Sequence, residues 1–243
     1  EGMTLMEMLP EFGLEGKYPI LCAKVNNVSQ GLKYRAFNNR QVEFLDYTSY
    51  LGRSVYCNSL CFLLCKAAKD VFPDSRVVIR RPISKGYFCT IVKADGHSVT
   101  EEDLVLIRAR MTDMVEKDIP FRRHEVRVQE AIDLFKSLGH EDKVKLLLTS
   151  GDVYVNYYTL GDTPDHYYEA LLPSTGYMKV WDISMYRDGI LIRVPDRHAP
   201  EQLAPFVEQP KTFDVFSENL KWNRIMGLEN AGDVNLACQR GEA

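Results

Sequence analysis

Cys57, Cys61 and Cys65 stand four residues apart within Val55–Pro73. On a helix that spacing brings side chains to one face, so the three thiols can converge. Zinc binding is one reading of such a face, since thiolates are good zinc ligands. A structural zinc takes four protein ligands, and a catalytic zinc takes three plus water. The remaining donors would have to come from His166–Gly176 and its neighbour: His166 itself, with Asp165 and Glu169. The plainer reading makes all three cysteines small core residues, because free Cys is among the most buried residue types. The sequence favours the plainer one.

A second constellation sets positive charge beside aromatic rings: Arg80, Arg81 and Lys85 with Tyr87 and Phe88. Such a cluster suits a phosphate or a nucleobase, although the sequence favours the plainer reading of a solvated strand end. No phosphate-binding Gly-x-x-x-x-Gly-Lys-Ser/Thr occurs, and no Gly-x-Gly-x-x-Gly. His-Glu-x-x-His and Cys-x-x-Cys are also absent. The five histidines (His97, His124, His140, His166, His198) fall at turns and element ends, and no local Ser-His-Asp or Cys-His set can be assembled.

The elements that must position these residues follow from periodicity. Apolar or small residues at 55, 57, 60, 61, 64, 65 and 68 predict a buried helix ended by Pro73. A short helix is expected over Glu1–Pro10. Strands are expected at Ile20–Val25, Leu32–Phe37 and Val42–Leu45, with turns at Asn26-Asn27 and Ser29-Gln30-Gly31. Arg76–Arg81 and Gly86–Val92 read as a strand pair around a turn at Pro82–Lys85. Thr100 with Asp103 has capping-box spacing, so a helix should run from Glu101 to about Lys117 with Leu104, Ile107, Met111, Met114 and Val115 inward. Helices follow at Val128–Leu138 and Asp142–Leu148. Strands are expected at Val153–Leu160, Tyr167–Leu172, Met178–Ile183 and Ile190–Val194. Helices between Pro200 and Pro205 and over Thr212–Ile225 complete the pattern, and the polar stretch Gly227–Ala243 reads as a linker.

The chain has 243 residues, 45% hydrophobic and 26% charged, which suits a globular protein with a real core. A net charge of −4 argues against strong non-specific nucleic-acid binding by the whole surface. The six cysteines do not form a disulfide-framework pattern and suit a reducing compartment. No membrane span or signal segment is evident, so a cytoplasmic location without membrane association is expected.

The order of segments then carries a resemblance. Glu43-Phe44-Leu45-Asp46-Tyr47 leads to Gly52-Arg53-Ser54-Val55-Tyr56 and the buried helix. Arg80-Arg81-Pro82-Ile83-Ser84-Lys85-Gly86-Tyr87-Phe88 follows, then the helix from Thr100 and Lys117-Asp118-Ile119-Pro120-Phe121. Ala131–Gly139 and Leu172-Pro173-Ser174-Thr175-Gly176 complete the set. From about Ile20 to Val194 this resembles the N-terminal half of threonyl-tRNA synthetase: a TGS-type module followed by the second additional, or editing, domain. The resemblance implies an α+β fold. A small β-rich, β-grasp TGS-like module would occupy 1–49. An editing-like antiparallel sheet packed on the long buried helix would occupy 50–198, and a helical segment and linker 199–243. The module's first strands are expected to be missing upstream of Glu1.

The resemblance also implies where chemistry should lie, and this sequence departs there. The family carries His-x-x-x-His on the buried helix, positions assigned here to Cys57 and Cys61. It carries Cys-x-x-x-His before the Pro-Ser/Asn-Thr-Gly turn, positions that fall on Tyr167 and Leu171. Leu has no donor atom and Tyr is a poor replacement for Cys, so no catalytic residue and no resident metal are expected. The tail, Phe213-Asp214-Val215-Phe216 to Asn230–Asn235, is similar to the stretch leading into the kinase half of bacterial uridine-kinase-like proteins. By that resemblance the chain is the non-catalytic accessory region of a nucleoside kinase, bounded near Glu242-Ala243. ATP and Mg²⁺ would then bind a kinase domain beyond residue 243, and a nucleoside, nucleotide or RNA end would bind near Arg81, Tyr87 and Phe88. The alternatives are a tRNA-binding or editing deacylase domain with an altered metal site using Cys57, Cys61 and His166, and a structural module for oligomerisation.

Overall fold

The computed structural model describes residues 2–14 and 16–242; Glu1 and Ala243, which end two of the expected segments, lie outside the described residues. The elements in chain order begin with β1 (Met3–Thr4), α1 (Leu5–Glu11), β2 (Ile20–Val25), β3 (Val28–Gly31), β4 (Arg35–Ala36) and β5 (Val42–Asp46). Next come α2 (Tyr50–Val71), β6 (Arg76–Ile83), β7 (Gly86–Val92), α3 (Glu101–Glu116), β8 (Phe121–Arg127), α4 (Val128–Ser137) and α5 (Glu141–Ser150). The chain closes with β9 (Tyr154–Leu160), β10 (Thr163–Asp165), β11 (Asp182–Tyr186), β12 (Gly189–Arg193), α6 (Pro210–Ile225) and α7 (Ala231–Arg240). The fold is α+β, with antiparallel sheets and a long buried helix. Two compact units divide it: Glu1–Arg122 with Thr159–Val207, and Arg123–Tyr158 with Glu208–Ala243.

In the first unit α2 is the axis. Ser49 caps it, its Oγ accepting from Gly52 N at 2.9 Å. Gly52 is required by close approach, since a Cβ there would lie 1.9 Å from Asp46 O. Val55, Leu60, Phe62, Leu63, Leu64, Ala67 and Ala68 are all fully enclosed. They point all around the axis, so α2 is a core helix rather than a surface one. The four-stranded sheet β11-β12-β7-β6 and the three-stranded sheet β3-β2-β5 are antiparallel throughout. Around β2, Leu5, Ala23, Val25 and Leu32 form a small core. Thr100 and Asp103 form the expected capping box on α3, which buries Leu104, Ile107, Met111 and Met114; Val115 is only partly buried.

The turn at Leu172–Gly176 is a structural anchor. Thr175 is fully buried; its Oγ1 donates to Met114 O and accepts from Ile119 N at 2.8 Å. Gly176 N donates to Asp118 Oδ1 at 2.8 Å, and Lys33 Nζ donates to Pro173 O at 2.7 Å. Lys66, 8% exposed, pairs with Asp70 at 2.6 Å and Asp162 at 2.5 Å.

In the second unit Ala131, Ile132 and Phe135 of α4 meet Val144 and Leu147 of α5 and Val155 of β9. Helix α7 is fixed to α5 by Lys145–Asp233 at 2.7 Å and by Asn235 donating to Thr149 Oγ1 at 3.0 Å.

Several sequence expectations change. Ser29-Gln30-Gly31 is strand, not turn: Asn26 and Asn27 both take positive φ (49° and 65°), so a two-residue hairpin pairs Val28 at once with Val25. Leu32 and Lys33 therefore turn, and only Arg35–Ala36 of the expected Leu32–Phe37 strand is extended. Tyr167–Leu172 joins no sheet; Leu172 N bonds instead to Ser59 Oγ at 2.9 Å. The strand expected at Met178–Ile183 lies at Asp182–Tyr186, set by a turn at Arg187 (φ 50°) that places Gly189 in β12. No helix forms between Pro200 and Pro205, where Pro195 bridges to Leu203. The expected linker contains α7, started by an Asn230–Asp233 capping box. Strand β8 was not expected; charged residues fill its exposed positions and dilute its alternation.

Candidate functional site

Helix α2 presents one stripe whose character changes along its length. Tyr50, Ser54, Asn58, Cys61 and Cys65 recur at spacings of three and four and therefore share a side. On one flank lies β7. The hydroxyls of Tyr87 and Tyr47 reach the Cys57 sulfur, and Cys89 lies beside Cys65. On the other flank runs the irregular segment 165–172. Asp165 lies near Cys61, the Tyr167 ring rests on Phe62 with centroids 5.6 Å apart, and Glu169 meets Ser54 and Asn58.

Cys57, Cys61 and Cys89 are buried, and Cys65 is only partly so. Burial pushes the Cys57 thiol up to about 11, partly offset by the Tyr87 and Tyr47 hydroxyls and by Arg53. Burial raises Cys61 well above the ordinary thiol value, reinforced by Cys65, Cys57 and Cys89. Cys89 is likewise pushed up by burial and then by Cys65. Such thiols are protonated at neutral pH, and the thiolate is the form that ligates metals and attacks electrophiles. Phe62 has no solvent exposure, Leu171 is 3% exposed, and Phe121 adds a second ring to Phe62 at 5.8 Å. Burial raises the Tyr167 phenol well above its usual value, with Asp165 adding to the effect.

The residues present do not fit a metal. Among the described residues no group of three or more His, Cys, Asp or Glu side chains is placed to hold an ion. His166 takes a different course from the thiols: its backbone N–H donates to Asp165 Oδ1 at 2.6 Å, and its ring meets Tyr168 edge-on at 4.8 Å. Of the four positions assigned from the resemblance, Cys57 faces Tyr47 and Tyr87. Cys61 and Tyr167 lie near one another, and Leu171 is sealed in the core.

The polar end is different. Ser54 Oγ donates to Glu169 Oε2, and Asn58 Nδ2 donates to the same oxygen at 3.3 Å. Asn58, Phe62 and the Ser54–Glu169 pair escaped the sequence reading as a set. The available signal was Ser54 and Asn58, one turn apart in an otherwise apolar helix. Their partner lies 111 residues from Asn58 and 115 from Ser54, beyond any local pattern.

Arg80, Arg81, Lys85, Tyr87 and Phe88 do not share one surface. Alternation along β7 turns Tyr87 toward Cys57 and sends Phe88 to the opposite face, where it meets Tyr186 edge-on at 6.3 Å. Arg81 pairs in register with Phe88, and the ladder shifts between Ile79 and Arg81, around Arg80. Ser84 and Lys85 form the left-handed turn, and Lys85 pairs with Asp196 at 3.3 Å.

No family model matches the chain. It is similar to curated threonine--tRNA ligases. That of Desulforamulus reducens is 28% identical over 179 residues, covering 73% of this chain and 28% of the relative. That of Symbiobacterium thermophilum is 28% identical over 184 residues, covering 75% and 28%. That of Fusobacterium nucleatum is 29% identical over 164 residues, covering 66% and 26%. The chain thus spans little more than a quarter of the length of these relatives. Among the described residues no helix is long and apolar enough to cross a membrane.

Proposed function

We propose that this chain is an editing-type recognition module, similar to part of threonine--tRNA ligases, that binds the ribonucleoside end of tRNA or a related ligand without hydrolysing it. One observation carries the non-hydrolytic part: the Tyr167 ring rests on Phe62, 5.6 Å between centroids, beside raised thiols and a sealed Leu171. There burial holds the thiols protonated and Leu171 carries no donor atom, which leaves no thiolate to activate water. The similarity over 73% of the chain supports the recognition part. The test is a filter-binding titration of the chain with tRNA, run beside a deacylation assay on threonyl-tRNA and on mischarged tRNA. Binding without release of the amino acid is expected; release by the chain, with or without added metal, would overturn the reading.

A second reading makes the same module the accessory half of a uridine-type nucleoside kinase. Its support is the resemblance of the tail, which folds as α6 and the capped α7. ATP and Mg²⁺ would be held by a phosphate-binding loop outside this chain. The gene sequence after Ala243 tests it: a Gly-x-x-x-x-Gly-Lys-Ser/Thr motif is expected, and a synthetase catalytic domain there would remove it.

A further inference from the structure

We propose that Glu169 reads the cis-diol of a terminal ribose, in a subsite built with Ser54, Asn58 and Tyr50 of α2. This rests on the recognition reading above and adds a specific contact to it. Glu169 is partly buried, and both of its hydrogen bonds arrive on Oε2, from Ser54 Oγ and Asn58 Nδ2. Its Oε1 receives no hydrogen bond, and no Lys or Arg lies within ion-pair distance, among the described residues. Neutral donors on one rigid helix therefore orient the carboxylate without neutralising it. An ionised carboxylate only accepts, so its open oxygen calls for a hydroxyl or amine donor. A pair of vicinal hydroxyls meets that demand, as when an acidic side chain holds a ribose hydroxyl in dinucleotide-binding folds.

The same helix supplies a surface for the base. Tyr50 lies one turn before Ser54 on the same side and is 70% exposed. An exposed ring beside a fixed acceptor is the pairing that single nucleotides use: stacking for the base and hydrogen bonding for the sugar. Phe62 and Tyr167 close the neighbouring space with apolar rings. The subsite therefore selects a ribose terminus by hydroxyl count, with no chemistry at the sugar. The diol can come from an RNA 3′ end or from a free nucleoside.

The test uses the full chain with two ligand pairs. One pair is an acceptor-stem RNA hairpin ending in adenosine or in 2′,3′-dideoxyadenosine. The other is uridine and 2′,3′-dideoxyuridine. Wild type should bind the diol-bearing member about tenfold or more tightly, the scale of a hydrogen bond to a charged group. Glu169→Gln and Glu169→Ala should bring that ratio close to one. Tyr50→Ala should weaken both members of a pair equally and leave the ratio intact. Thermal melting of each variant separates loss of fold from loss of discrimination. Discrimination confined to one pair identifies the source of the ribose. A ratio that persists in both Glu169 variants, or that is already near one in wild type, overturns the Glu169 assignment while leaving the recognition reading standing. Failure of wild type to bind any of the four, together with failure to bind tRNA, overturns both.

Discussion

The two ends of the α2 stripe teach different things about the same spacing. At Cys61 and Cys65, with Cys57 on the flank of the stripe, the repeat of four packs thiols against Tyr87 and Cys89 of β7. At Ser54 and Asn58 the same repeat delivers two donors to one carboxylate oxygen. Periodicity fixes only which residues share a side of the helix. What covers that side, a strand presenting Tyr and Cys or an irregular segment presenting Glu169, decides whether the stripe becomes core or a hydrogen-bonded polar face. The residue types that invited a metal reading are the dry ones, and the polar pair that looked incidental holds the more specific geometry.

The strongest way to break this contrast is to open the dry end. Phe62→Ala should destabilise the protein by about 3–5 kcal/mol, the usual cost of emptying a buried aromatic site. Urea unfolding measures this, and a loss below about 1 kcal/mol would mean that the Phe62–Tyr167 contact is not part of the core.

Ser59 tests the seam between the ends. Its fully buried hydroxyl donates to Val55 O at 2.7 Å and accepts from Leu172 N at 2.9 Å. Ser59→Ala should cost about 1–3 kcal/mol, because the Leu172 N–H is left unsatisfied. It should also loosen the 165–172 segment, which hydrogen exchange at Leu172 would report.

Thiol labelling sharpens the comparison without mutation. At pH 7.5 the exposed Cys238 should react with a thiol reagent in the native protein, while Cys57, Cys61 and Cys89 should label only as fast as the protein opens. Fast labelling of Cys57 or Cys61 would contradict the dry reading. A chelator should leave the melting temperature unchanged, since the donor set does not fit a metal.

The smallest effect concerns acid. Hydrogen bonding to Lys66, joined by its charge, holds the Asp162 carboxyl below its ordinary value, and the Thr100 backbone N–H and then Lys93 do the same for Asp103. A carboxylate depressed in the folded state stabilises it fully above the unfolded value, and that stability is lost as pH falls through the lower folded one. Stability should therefore fall below about pH 4, where such groups begin to protonate in the unfolded chain. Asp162 is largely exposed, with 86% of its side chain accessible, so solvent screening limits its share to about a few tenths of a kcal/mol. Asp162→Asn should flatten the acid limb by that amount in melts across pH 3–6.

Much of this was legible in the chain. The buried helix ending before Pro73, strand β7 and the Thr100 capping box all follow from local patterns that need no partner. The errors cluster where backbone groups bond outside their own neighbourhood. Tyr167–Leu172 has strand composition yet pairs with nothing, because Ser59 takes its terminal N–H. Gly227–Ala243 is polar enough for a linker yet folds as a helix, because Asn230 and Asp233 cap it and Lys145 holds it.

By itself, then, the sequence determined the repeat of four on α2 and the absence of a phosphate-binding loop motif from these residues. Only the tertiary structure decided that Cys57 and Cys61 are buried while Cys65 stays partly exposed, that Tyr87 and Phe88 part to opposite faces, and that Glu169 reaches Ser54 and Asn58. The physical reason is range. Helix propensity, caps and side-chain periodicity act over a few residues, whereas burial, pKa and hydrogen-bond partnership are set by residues from other elements, more than a hundred positions away for Glu169 with Ser54 and Asn58.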